Sequence, residues 1–254
     1  MSFDVTADAY TQFMGRYSRP LATAFANLLQ VSPDARALDV GCGPGALTAE
    51  LLTRVDASQL RAVDPSQPFV DAMRREFPDV EVARASAEHL PYADATFDLT
   101  LAQLVVHFMA DPVAGLREMA RVTVPGGIAA ANVWDHGGGR GPLSPFWQAV
   151  RKIDPASQGE SQLAGVEEGK LVGLFESAGM THASSTSLSV PVHHPTFEEW
   201  WHPFTLGVGP AGDHVARLDA AKREELRQQC ERTLPQPPFT LDAVAWTVQW
   251  RKPT

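Results

Sequence analysis

Between residues 37 and 134 short apolar runs alternate with amphipathic stretches. The pattern predicts strands at 37–40, 60–64, 80–85, 97–103 and 128–134, with helices at 46–52, 68–76 and 113–122. Strand followed by helix, repeated, is the signature of a parallel sheet covered on both faces. The helix over 113–122 is expected to stop before Pro125, Gly126 and Gly127. Beyond Trp134 the alternation breaks. Residues 135–168 begin rich in glycine and proline and continue without clear periodicity, and residues 193–238 carry Trp200, Trp201, Phe204 and a charged helix expected from about 216 to 232. A helix at 169–178 and strands at 184–192 and 239–250 complete the pattern. Excursions of such length are too long for simple connections and predict functional insertions.

A chain of 254 residues suits a single α/β domain, here a core over 31–134 with cap insertions at 135–168 and 193–238. The formal net charge of −9 and the lack of a basic cluster argue against nucleic acid or an anionic membrane as partner, and point to a small molecule. No apolar run approaches the roughly 18 residues of a membrane span. The start of the chain, with Asp4 and Asp8, lacks the basic and apolar regions of a signal peptide, so a cytoplasmic protein is expected. Cys42 and Cys230 are far apart, and the histidines are scattered apart from the adjacent His193 and His194. Neither a disulfide nor a metal site is expected.

Residues 38–45 read LDVGCGPG and fall between the first strand and the first helix of the core. Glycines let such a turn be tight and let a ligand touch its backbone, while the following helix offers free N–H groups and positive potential. Gly41, Gly43 and Ala46 satisfy the G-x-G-x-x-G/A spacing of dinucleotide-binding folds, so the turn alone also fits a nicotinamide-dependent oxidoreductase. Asp64 closes the second strand, where a carboxylate can take both hydroxyls of an unphosphorylated ribose.

A further motif follows in ARASAEHLPYADATFD, residues 83–98. Together with LDVGCGPG, VDPS and EMARVTVPGG it resembles the class I S-adenosylmethionine-dependent methyltransferases, particularly the type 11 branch that includes ubiquinone and menaquinone biosynthesis enzymes. The resemblance runs from about Ala37 to Trp134. It implies a doubly wound, Rossmann-like sheet of seven mostly parallel strands, the last antiparallel, with S-adenosylmethionine as cofactor and S-adenosylhomocysteine as product.

The resemblance also implies roles. Gly41, Gly43 and Gly45 would let the cofactor lie against the backbone, with Asp39 organising the turn or receiving the ammonium. Asp64 would hold the ribose, Ser86 and Ala87 would border the adenine, Glu88 would reach its exocyclic amine, and Gln103 would contact the methionine end. Residues 1–30 look like the region that lids such sites, with Tyr10, Arg16 and Tyr17 as candidates and Arg16 able to pair with a carboxylate.

Methyl transfer from a sulfonium asks the protein mainly to position the nucleophile and exclude water. For a hydroxyl or acidic carbon a general base helps. His107, just past the fourth strand, is the candidate, with His136 beyond the fifth as runner-up. Phe146, Trp147, Trp200, Trp201 and Phe204 are expected to wall the pocket of an apolar or aromatic acceptor. The expected function is methylation of a small molecule; the alternatives are a cofactor-binding or sensory protein on the same fold and, from a different enzyme class, the oxidoreductase.

Overall fold

The computed structural model describes residues 7–157 and 159–254. Asp4, the side chain of Asp8 and residues 1–6 of the lid region lie outside the described residues. A short helix α1 (Ala7–Tyr10) runs through a π-helical turn (Thr11–Gly15) into α2 (Arg16–Leu29). Then follow β1 (Ala37–Val40), α3 (Ala46–Leu51), β2 (Leu60–Asp64), α4 (Gln67–Glu76), β3 (Glu81–Arg84), β4 (Phe97–Gln103), α5 (Pro112–Val122) and β5 (Thr123–Trp134). The rest comprises α6 (Ser144–Ile153), α7 (Lys170–Ser177), β6 (Ser184–His194), α8 (Phe197–Trp201), α9 (Gly209–Arg217), α10 (Ala220–Thr233) and β7 (Phe239–Arg251).

The sheet order is β3-β2-β1-β4-β5-β7-β6. β1 to β5 are parallel, and β7 runs antiparallel between β5 and β6, so the expected seven-stranded Rossmann-like sheet is present. Successive strand residues point to opposite faces, and the core divides accordingly. Leu38, Val40, Ala129, Ala131 and Val133 pack with Leu116, Met119 and Phe175 of α5 and α7. Ala37, Leu99, Leu101 and Ala130 pack instead with Phe25, Leu47, Leu51 and Met73 of α2, α3 and α4. A third cluster lies in the cap, where Phe146, Trp147, Trp200, Trp201 and Phe204 meet Phe13, Tyr17 and Trp134.

Three expectations about elements need correction. β5 begins at Thr123, not 128, and runs through Pro125, Gly126 and Gly127. A register shift against β4 between Phe97 and Leu99 absorbs the irregularity, so residues that read as a break form a bulge. The aperiodic stretch after residue 143 contains α6, which buries Phe146, Trp147, Ala149 and Val150. The single charged helix of 216–232 is two helices, because Asp219 accepts a hydrogen bond from Lys222 N at 2.9 Å and starts α10 afresh.

Candidate active site

The glycine turn leaves β1 directly below a cavity of about 610 Å³ that opens at the C-terminal ends of β1 to β4. That is where open α/β sheets bind ligands, and the volume falls within the usual range for small-molecule sites, about 300–1,000 Å³. Gly41 N and Cys42 N both donate to Val63 O, at 2.8 and 3.0 Å, which ties the turn to β2. Asp64 completes the tie: Oδ2 accepts from Gly43 N at 2.9 Å and Oδ1 from Ser66 N at 2.8 Å. Gly41 and Gly43 both have positive φ, +70° and +53°. A Cβ on Gly41 would stand 2.3 Å from Val105 Cγ2, whereas one on Gly43 would meet nothing within 4 Å. Gly41 is therefore a packing glycine, and Gly43 faces open space beside the ligand cavity.

Asp39 is buried, and its Oδ2 accepts from Thr48 Oγ1 at 2.7 Å. Burial pushes its carboxyl up to about 7, opposed by the Thr48 bond. Asp64 is also raised by burial, against the two backbone bonds. The sign for stability follows from linkage. A carboxyl that titrates near its ordinary value when unfolded and near 7 when folded stabilises fully below the first value, and that contribution is lost as pH rises through the second. Asp39→Asn should therefore gain stability relative to the parent by about 2 kcal/mol between pH 5 and pH 7, at about 1.4 kcal/mol per unit. Urea unfolding at both pH values checks this; a pH-independent difference would contradict it.

Of the residues expected to hold a cofactor, Tyr10, Asp39, Gly41, Gly43, Asp64, Ser86, Ala87, Glu88 and Gln103 all line the cavity. Glu88 Oε1 also accepts from Asp111 N at 3.2 Å, which ties it to the start of α5. Gln103 Nε2 donates to Ser18 O at 3.0 Å, while its buried Oε1 has no partner. Two of the expected residues stand outside that wall. Gly45 is not in the cavity wall but packs toward Phe77 and Met73. Arg16 is also outside the wall; its guanidinium meets His194 Nδ1 at 3.2 Å, and Tyr17 Oη meets His194 Nε2 at 3.1 Å. Both therefore anchor α2 to the end of β6. Phe69, Phe108 and Met109 line the cavity without having been anticipated. Phe69, in an edge contact with Tyr10 at 5.5 Å, was legible only as an apolar residue after VDPS.

Beyond Tyr10, Leu104 and Phe108, which border both spaces, lies a second, smaller chamber of about 30 Å³. Leu104 has φ +60°, a left-handed conformation uncommon for such a side chain and often found at sites under functional constraint. The kink ends β4 and leads into the short turn Val106–Phe108 that delivers His107 to the chamber. His136 lines it from the end of β5, with the two imidazoles 6.1 Å apart. Burial holds His136 down to about 4 and His107 well below the usual histidine range. Both are neutral near pH 7.

Trp134, Phe13, Met14, Leu143, Val208 and Pro210 supply most of the remaining wall. The aromatics expected there stand behind it. Phe146 stacks on Phe204 with centroids 4.5 Å apart, Trp200 packs on Phe204 at 4.8 Å, and Phe197 stacks on Trp201 at 6.4 Å. None of Phe146, Trp147, Trp200, Trp201 and Phe204 touches either space, so they are the core of the cap. Among the described residues no group of three His, Cys, Asp or Glu side chains could hold a metal ion, and no helix is long and apolar enough to cross a membrane.

Comparison with known proteins agrees with this geometry. Residues 38–131 match the family described as "Methyltransferase domain". The chain is 34% identical over 139 residues to the uncharacterized methyltransferase C1B3.06c of Schizosaccharomyces pombe, covering 50% of each protein. It is 34% identical over 125 residues to the demethylmenaquinone methyltransferase of Beutenbergia cavernae, covering 49% of this chain and 50% of that one. The matches thus span about half the length of these curated relatives. In fold, the chain is similar to the YcgJ protein of Bacillus subtilis (TM-score 0.59, 18% identity, 94% of this chain and 99% of that one). It is similar also to phosphoethanolamine N-methyltransferase 2 of Haemonchus contortus, solved with S-adenosylhomocysteine (TM-score 0.61, 14% identity, 98% and 57%).

The residues present fit S-adenosylmethionine in kind. The unpaired Gln103 Oε1 can accept from an ammonium, the Asp64 carboxylate stands at the second strand end, and the open space above Gly43 would be filled by any Cβ. Residues 38–131 therefore match a methyltransferase domain of the type 11 kind, and the groups in the cavity wall fit its S-adenosylmethionine.

Proposed function

We propose that this protein transfers a methyl group from S-adenosylmethionine to a small, largely apolar molecule. The observation that carries this reading is the pairing of two spaces across Tyr10, Leu104 and Phe108: a cofactor-sized cavity over the strand ends, and a small, mostly apolar chamber beside it. When bound, the cofactor supplies a methyl group on a positively charged sulfur.

The chain's own groups do the rest. Asp64 accepts from the ribose hydroxyls, Gly43 leaves the backbone open to the ligand, and Gln103 Oε1 accepts from the ammonium. Ser86, Ala87 and Glu88 border the base. Tyr10, Leu104 and Phe108 orient the acceptor toward the donor side, and Phe13, Met14 and Val208 exclude water from it. The net charge of −9 supports a small-molecule partner over a nucleic acid, and we place the protein in the cytoplasm.

One observation favours a second reading, a cofactor-responsive binding protein. The chamber's 30 Å³ is about a tenth of the lower end of the usual range for small-molecule sites, about 300–1,000 Å³, so an acceptor fits only if its wall moves. Calorimetry with S-adenosylhomocysteine and with NAD, followed by an acceptor screen read by S-adenosylhomocysteine release, tests both. Binding of S-adenosylhomocysteine but not NAD, with turnover on apolar acceptors, is expected. Tight binding without turnover on any acceptor would favour the second reading, and NAD binding alone would return the oxidoreductase.

A further inference from the structure

Glu160 lies in the aperiodic part of the first cap insertion, yet it is 3% exposed and lines the acceptor chamber. Its placement is built. Gly159 has φ +57°, and a Cβ there would stand 2.5 Å from Trp147 Cδ2, so the chain lies flat on the indole only because residue 159 is glycine. The same indole donates from Nε1 to Glu160 Oε2 at 2.7 Å. A carboxyl is thus clamped from behind in an apolar space whose wall contains no Lys or Arg.

Two other buried groups in that wall have no partner: Trp134 Nε1 and His107 Nδ1. An indole N–H can only donate, and a carboxylate can only accept. A ligand that satisfies both must accept and donate. An ammonium only donates and leaves the indole unpaired; a carboxylate or phosphate only accepts and faces Glu160 with like charge. A hydroxyl does both.

We propose that Glu160 is the proton-accepting catalytic residue of this chamber, and that the acceptor is a hydroxylated, otherwise apolar molecule of the phenol type; this rests on the methyltransferase reading above. The acceptor hydroxyl gives its proton to the Glu160 carboxylate. Its oxygen lone pair forms the new O–CH3 bond while the carbon–sulfur bond breaks with both electrons kept by sulfur. The products are a methyl ether, a neutral thioether and a protonated Glu160, which returns its proton to solvent when the chamber opens.

The electrostatics agree. Burial pushes Glu160 up to about 7, against the Trp147 bond, which suits a group that takes a proton near neutrality. The same burial makes His107 a weak proton acceptor, so the base expected there from its position is reassigned, with His107 left as a neutral hydrogen-bonding wall. The other titratable groups of the wall are His136, held neutral, and Tyr10, whose phenol is pushed up to about 12.

Binding of phenol, anisole and benzylamine to the full chain saturated with S-adenosylhomocysteine tests the acceptor class. Phenol should bind at least about tenfold more tightly than either. Equal binding of anisole, a preference for benzylamine, or no phenol binding overturns the proposal. Binding of S-adenosylhomocysteine is the control: its failure sinks the methyltransferase reading, whereas its success without a phenol preference sinks only this one. For the base, Glu160→Gln keeps an acceptor for Trp147 and should lower kcat on a turned-over phenol by about a hundredfold or more, with His107→Gln costing less than about tenfold. The opposite ranking would restore the histidine. The preference among the three compounds is read on the parent chain and so holds even if a variant fails to fold.

Discussion

Asp64→Ala is expected to weaken S-adenosylhomocysteine binding by about a hundredfold or more while leaving most of the sheet intact. The carboxylate has two tasks at once. Its oxygens accept from Gly43 N and Ser66 N, at 2.9 and 2.8 Å, and so hold the glycine turn against the end of β2. Its position in the cavity wall also makes it the proposed acceptor for the ribose hydroxyls. Each hydrogen bond to a charged group is worth about 1.5–3 kcal/mol, and about 2.7 kcal/mol is already a hundredfold in affinity. Alanine removes the ribose contacts and frees the turn. Asp64→Asn, which keeps one carbonyl acceptor, should fall between the two. Calorimetric titration of the three proteins decides it; a loss below about threefold for the alanine variant would place the ribose elsewhere.

The second large effect separates two glycines of one turn. Gly41→Ala puts a methyl 2.3 Å from Val105 Cγ2 at a φ of +70°, and a β-branched side chain has few χ1 rotamers in which to retreat. Overpacking and left-handed strain together should cost about 3 kcal/mol of stability. Gly43→Ala carries only the backbone strain, about 1–2 kcal/mol, since its methyl meets no protein atom within 4 Å. That methyl occupies ligand space instead. The expected outcome is a crossed pattern: Gly41→Ala lowers the urea midpoint sharply, while Gly43→Ala lowers cofactor affinity by at least about tenfold with a small change in midpoint. Equal effects on both readouts would mean that the turn responds as one unit.

The two glycines also show what the chain's pattern reveals and what it hides. Strands β1, β2 and β4 were legible to the residue because each is an apolar run with a polar group at or next to its end, Asp39, Asp64 or Gln103, and those groups then fall in one cavity wall. Spacing alone cannot tell which glycine meets a ligand and which meets Val105, since that depends on a residue more than 60 positions away. β5 was mistaken at its start because Pro125, Gly126 and Gly127 signal a turn locally, whereas the pairing with β4 tolerates a bulge.

The cap was the least legible part. Aromatic residues signal burial without direction, and Phe146, Trp147, Trp200, Trp201 and Phe204 bury themselves against one another, not around the chamber. Arg16 and Tyr17 meet His194 across 178 and 177 positions, a contact no local pattern encodes. Glu160 was missed because it sits in a stretch without periodicity. Its only local sign is the neighbouring Gly159, and that becomes informative only once Trp147 is known to lie beneath it.

The placement of β7 has a consequence for how the sheet holds together. Among the described strands β6 pairs with β7, and β7 pairs with β5 and β6, so a strand that follows β6 in sequence lies inside the sheet. Without residues 239–251, β5 would be a bare edge and β6, with His194 at its end, would have no place on the sheet. The hydrogen bonds of Arg16 and Tyr17 to His194 depend on the same strand, although α2 keeps its apolar packing on β1 and β4 through Phe25. Loss of β7 would therefore loosen the far half of the molecule while leaving the glycine turn tied to β2.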